Sequence, residues 1–168
     1  PGGAPHPQNP AYHEGYGRTQ QQVLIPAFIA AYTGKDAKTI GLDVFKTTPK
    51  FNWKLNYTGL SRVPFFKNMG INNLTISHGY SNNLTINSYN TDLLYNEHNP
   101  TALTPVTDNY YSRFEIPQIV ISERLNPLIG IDLRTNSQFS FKLEFKKERN
   151  LAMSFIDYQL NESKVAEY

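Results

Sequence analysis

The sequence predicts an all-β protein of antiparallel strands, and two observations support this fold class. First, residues 139–145 read FSFKLEF, in which every second residue is apolar. Successive side chains of a β-strand point to opposite faces, so this segment would have one apolar and one polar face. Second, aromatic residues make up 13% of the chain although its whole hydrophobic fraction is only 39%, a balance that favours strands over helices.

The same alternation recurs in residues 51–57, which read FNWKLNY, and in residues 129–134, which read IGIDLR. Strand geometry assigns the alternating residues to two opposite faces. The residues that we single out on the apolar face are Phe51, Trp53, Leu55, Phe139, Phe141, Leu143 and Phe145. Those that we single out on the polar face are Asn52, Lys54, Asp132, Arg134, Lys142 and Glu144.

The N-terminal part of the chain lacks this alternation. Residues 1–22 are rich in Pro, Gly and Gln, and we expect a loop or a poorly ordered segment there. The apolar run Val23–Tyr32 fits either a short buried helix kinked at Pro26 or an edge strand, and periodicity does not decide between them. We expect residues 23–168 as a whole to form strands and the loops that join them.

The later segments supply the other strands. The motif NNLTI at residues 72–76 repeats at 82–86, which indicates two similar strands of one meander. Residues 87–112 form a long polar connection. The charged run KKERN at 146–150 interrupts the apolar alternation, which resumes at 151–155, and we therefore predict a hairpin with its turn at this run.

The composition offers no support for an active site. The chain has no cysteine, and its four histidines lack zinc-ligand spacing. The carboxylates Asp132, Glu144 and Asp157 have Lys or Arg nearby, as on a solvated polar face. A net charge of +2 is too small to indicate a nucleic-acid partner. We expect no enzymatic activity, no cofactor and no metal.

Alternation alone fits both a soluble β-sandwich and a membrane β-barrel, because each has one apolar and one polar strand face. Two features favour the barrel. The apolar faces carry aromatic residues at their ends, as membrane-interface girdles do, and the opposite faces are polar enough to line a water-filled lumen. The alternatives are a soluble secreted β-sandwich that binds carbohydrate or protein, and a small self-contained outer-membrane barrel.

Several motifs resemble those of a known family. Residues 52–66 read NWKLNYTGLSRVPFF, residues 23–34 read VLIPAFIAAYTG, and residues 144–152 read EFKKERNLA. The run ISE at 121–123, followed by PLIGID at 127–132, is a further match. These motifs resemble, in the same order, those of the SprA (Sov) family, the giant outer-membrane translocons of the type IX secretion system of Bacteroidota.

The resemblance implies that the chain is part of a large transmembrane β-barrel wall in the cell outer membrane. It implies a channel that passes folded cargo proteins with C-terminal sorting domains to the cell surface. The implied partners are a plug protein, a cargo-shuttling outer-membrane barrel protein and membrane lipid. Because the chain starts at Pro1 without a methionine, we expect a processed product or a fragment of a longer protein. The resemblance implies that such a fragment comes from near the C-terminus of the translocon.

Overall fold

A computed structural model describes residues 4–41 and 51–168. Strands hold 50% of the residues and helices 16%, which confirms the predicted β-rich class with antiparallel sheets. The strands are β1 Pro5–His6, β2 Asn9–His13, β3 Trp53–Tyr57, β4 Ile71–Asn87, β5 Asn90–Thr91, β6 Phe114–Glu115, β7 Gln118–Thr135, β8 Ser140–Ser154 and β9 Leu160–Glu167. The α-helices are α1 Gln21–Thr33 and α2 Pro64–Asn68, and 3₁₀ turns occupy Ala37–Thr39 and Gly59–Arg62.

The main sheet has five strands in the order β3-β4-β7-β8-β9, so β3 and β9 are its edges. Strands β3 and β4 are antiparallel, with Trp53 opposite Tyr80. Contacts between β4 and β7 also run in opposite directions, because His78 meets the carbonyl of Leu128 whereas Tyr80 meets Glu123. Pairs β1–β2 and β5–β6 form two separate two-stranded sheets.

The predicted hairpin turn at residues 146–150 is wrong. Strand β8 runs without interruption through this charged run. Its charges are accommodated because neighbouring strands supply partners: Arg149 pairs with Glu162 of β9, and Glu148 pairs with Arg124 of β7. The apolar positions before and after the run are all odd-numbered, so the strand keeps its phase across the charges.

The N-terminal region differs from the expected loop, because residues 1–22 contain β1 and β2, which pair as an antiparallel hairpin. The undecided segment after it is helical: α1 buries Ile25 and Phe28, holds Pro26 in its interior, and ends at Gly34 in the left-handed region at φ 68°. Within residues 4–41 and 51–168, no helix is long and apolar enough to cross a lipid bilayer.

The described residues form two compact units: 4–41, 86–119 and 153–160 in the first, and 51–85, 120–152 and 161–168 in the second. Amide side chains organise the first unit by bonding to the main chain. Gln20 Nε2 donates to the carbonyl of Tyr110 at 2.8 Å, and Asn109 Oδ1 accepts from the amide of Gly17 at 2.8 Å. These buried amides therefore have structural partners.

Candidate functional site: a sheet with two different faces

The second unit carries most of the five-stranded sheet, and one of its faces is aromatic. The rings of Trp53 and Tyr80 stack with centroids 4.5 Å apart and planes 29° apart. Strand alternation and the register of β3 with β4 place Leu55 and Tyr57 on this face, where Tyr57 lies opposite Ile76.

Contacts across the sheet connect this face to β8. The Tyr80 hydroxyl donates to Glu123 of β7 at 3.2 Å, and Glu123 lies 3.8 Å from Arg149 of the adjacent strand β8. Every second residue of β8 back from Arg149 shares its face, and these residues include Phe145, whose ring stacks on Tyr168 at 5.0 Å. We call this surface the aromatic face; it comprises Trp53, Leu55, Tyr57, Ile76, Tyr80, Phe141, Leu143 and Phe145.

Most side chains of the aromatic face are exposed, while Tyr80 and Phe145 are half-buried. Leu55 is 61% exposed, Leu143 is 47% exposed and Trp53 is 44% exposed. Phe51 and Phe139, which precede β3 and β8, are 80% and 61% exposed. A sheet of a soluble protein usually buries its apolar face against a second layer, so this exposure makes the face a candidate binding surface.

The opposite surface, which we call the charged face, bears polar side chains paired with one another. Lys142 Nζ lies 3.0 Å from Glu144 Oε1, and Ser122 Oγ donates to Asn150 Oδ1 at 2.6 Å. Lys54 lies opposite Gly79 and shares this face by strand alternation. Most of these groups are partly or fully exposed. The residues named on each of the two faces are therefore open to the surroundings of the described chain.

The structure separates the two sets of residues that the sequence singled out. Lys54, Lys142 and Glu144 lie on the charged face. Alternation from Gly130, where an added Cβ would meet Ser77 Oγ, places Asp132 and Arg134 on the same face. Asn52 has a different position, because its Oδ1 accepts a hydrogen bond of 2.8 Å from the amide of Asn82 and so extends the β3–β4 edge.

Sequence reasoning missed one group of residues on the aromatic face, a row of four charges across three strands. Arg149 Nε lies 2.6 Å from Glu162 Oε1, Lys164 Nζ lies 3.1 Å from Glu162 Oε2, and Arg149 also pairs with Glu123. We call Glu123, Arg149, Glu162 and Lys164 the charged row. The unbroken odd-numbered phase of β8 is the signal that could have revealed it.

In the described parts of the chain, no three His, Asp or Glu side chains are grouped so that they could hold a metal ion. No protein-family model matches the chain, and no curated protein is significantly similar to it. The chemistry of the site therefore rests on its own geometry. That geometry suits contact with an apolar medium on one face and with water or a polar partner on the other.

Proposed function

We propose that the five-stranded sheet is part of the wall of a transmembrane β-barrel, with lipid against its aromatic face and a water-filled lumen against its charged face. The observation that carries this proposal is the exposed aromatic face directly opposite the charged face. Burial of one large apolar side chain is worth about 1.5–3 kcal/mol, so a lipid environment would stabilise this face strongly.

The open edges of the sheet support a wall larger than this chain's five strands. In hydrocarbon, each unpaired backbone N–H or C=O group costs several kcal/mol, so a membrane sheet must close on itself. Strands β3 and β9 have no further neighbour in the sheet as described. Additional strands would have to pair with both edges.

The finer assignment rests on the resemblance to the SprA (Sov) translocons, which extends in order over most of residues 23–162. We propose that the wall belongs to the outer-membrane channel of the type IX secretion system. The channel would pass folded cargo with C-terminal sorting domains, with a plug protein and a cargo-shuttling barrel protein as partners. Passage of folded proteins would require a closed wall and a wide polar lumen, and it would require no catalytic group.

Single-cysteine variants test the lipid contact, and the chain suits them because it contains no cysteine. We expect a fluorophore at positions 139, 141, 143 and 145 to be quenched by spin labels on lipid chains. At positions 140, 142 and 144, a water-soluble quencher should act instead. Equal behaviour at all seven positions would refute the wall assignment.

A soluble β-sandwich predicts a different result for the aromatic face. In a sandwich, a second protein layer would cover positions 141, 143 and 145, and neither the lipid-chain quencher nor the aqueous quencher would reach them. The quenching experiment on the native protein in its membranes therefore distinguishes the two classes.

A further inference from the structure

The three long strands exceed what a bilayer crossing requires. Strands β4, β7 and β8 contain 17, 18 and 15 residues. A tilted transmembrane strand needs only about 9–11 residues. Each strand therefore has an excess of roughly 4–9 residues, and part of the sheet must lie outside the hydrocarbon layer if the sheet is a membrane wall.

The composition of the aromatic face identifies which part lies outside. From Phe139 to Phe145, every odd-numbered residue is apolar, and the next two odd-numbered residues are Lys147 and Arg149. The charged row crosses β7, β8 and β9 at the level of Arg149. A lysine or arginine on the lipid face of a barrel is strongly unfavourable at the bilayer midplane and much less unfavourable near the interface.

The stacked pair of Trp53 and Tyr80 lies beside this change of composition. The Tyr80 hydroxyl reaches Glu123 of the charged row at 3.2 Å, while its ring stacks on Trp53. Tyrosine and tryptophan favour the membrane–water interface because their rings are apolar and their polar atoms need a wet partner. The pair therefore fits the interfacial layer.

We propose that the boundary of the hydrocarbon layer crosses the sheet between Phe145 and Arg149. On one side, acyl chains would contact the aromatic face. On the other side, the sheet would continue into water with the charged row on its outer surface. This inference rests on the proposed function and adds the depth at which the lipid contact ends.

Fluorophores along the aromatic face of the native protein in its membranes test this boundary. We expect strong quenching by spin-labelled lipid chains at 143 and 145, weak quenching at 147, and none at 164, where iodide should quench instead. Position 164 represents the charged row because Lys164 is exposed and its substitution leaves the Arg149–Glu162 contact in place. Position 142, on the opposite face, is the control that lipid chains should not reach.

The natural tryptophan provides a second measurement without any substitution. Trp53 is the only tryptophan, and brominated lipids quench its emission according to depth. We expect bromines near the lipid carbonyls to quench it several-fold more than bromines near the bilayer centre. The reverse order, or lipid quenching that persists at 164, would overturn the boundary and leave the lipid face intact. Absence of lipid quenching at every position would overturn the proposed function itself.

Discussion

At the scale of single residues, Arg149 is the centre of the charged row. Its guanidinium contacts Glu162 at 2.6 Å and Glu123 at 3.8 Å, and it joins β7, β8 and β9. Both partners are near the surface, where solvent screens an ion pair and weakens its contribution to stability. The contribution of Arg149 to stability is therefore small, and its effect on its carboxylate partner is the better measurement.

The pKa of Glu162 provides that measurement, in the part of the sheet that we place in water. Hydrogen bonds from Arg149 and then from Lys164 lower the pKa of this carboxyl below its ordinary value. A lowered pKa in the folded state means that the carboxylate stabilises the fold above its unfolded pKa and loses this effect as the pH falls through the folded value.

We predict that Arg149→Gln raises the pKa of Glu162 toward its ordinary value, because the largest cause of the lowering is removed. A pH titration of the Glu162 carboxyl by NMR measures the change. Lys142→Gln is the matched control, since Lys142 pairs with Glu144 on the opposite face. Equal pKa values in the wild type and in Arg149→Gln would show that the ion pair does not form.

At the scale of elements, close contact between β4 and β7 depends on Gly79. A Cβ atom added at Gly79 would lie 2.5 Å from the carbonyl oxygen of Asn126, which is a main-chain atom and cannot rotate away. We predict that Gly79→Ala lowers the free energy of unfolding by about 1–3 kcal/mol, the usual cost of overpacking.

Urea unfolding of the protein in lipid vesicles, followed by the emission of Trp53, measures this change. Gly41→Ala is the control, because a Cβ atom at Gly41 would meet no atom of residues 4–41 or 51–168 within 4 Å. The prediction is wrong if the two alanine variants unfold at the same urea concentration.

The elements also show how far sequence reasoning could reach. Period-two alternation predicted the strands at 51–57 and 139–145. It also predicted how their residues divide between two faces, because successive side chains of a strand point to opposite faces. At residues 146–150 the charged run predicts a turn, and this prediction is wrong because β7 and β9 supply partners for the charges. A local sequence pattern does not indicate which strands, far apart in sequence, pair with one another.

The helix α1 illustrates a different limit. Its apolar run has no clear period, and Pro26 is compatible with either a kinked helix or an edge strand. In the structure, the helix ends before Gly34, which is its C-cap residue. At its first residue, the Oε1 of Gln21 accepts a hydrogen bond of 3.0 Å from the amide of Ile116. That partner lies 95 residues away, so local propensity could not identify it.

At the scale of the whole molecule, the sheet is open and its edge strands are short. Strand β9 has eight residues, all exposed, and β3 has five, all exposed. Exposed edges invite pairing with further strands, which proteins otherwise prevent by covering or blocking them. In a lipid wall, the outer main-chain groups of each edge must find such partners wherever that edge lies in hydrocarbon.

Hydrogen exchange of the native protein in its membranes tests this requirement. We predict that the amides of β9 exchange about as slowly as those of β7, which has neighbours on both sides, because further strands would pair with the outer edge of β9. The two-stranded hairpin of β1 and β2 is the internal control, and its unpaired amides should exchange quickly. If every second amide of β9 exchanges as fast as those of the control hairpin, the sheet ends at β9 and the chain is not one segment of a larger closed wall.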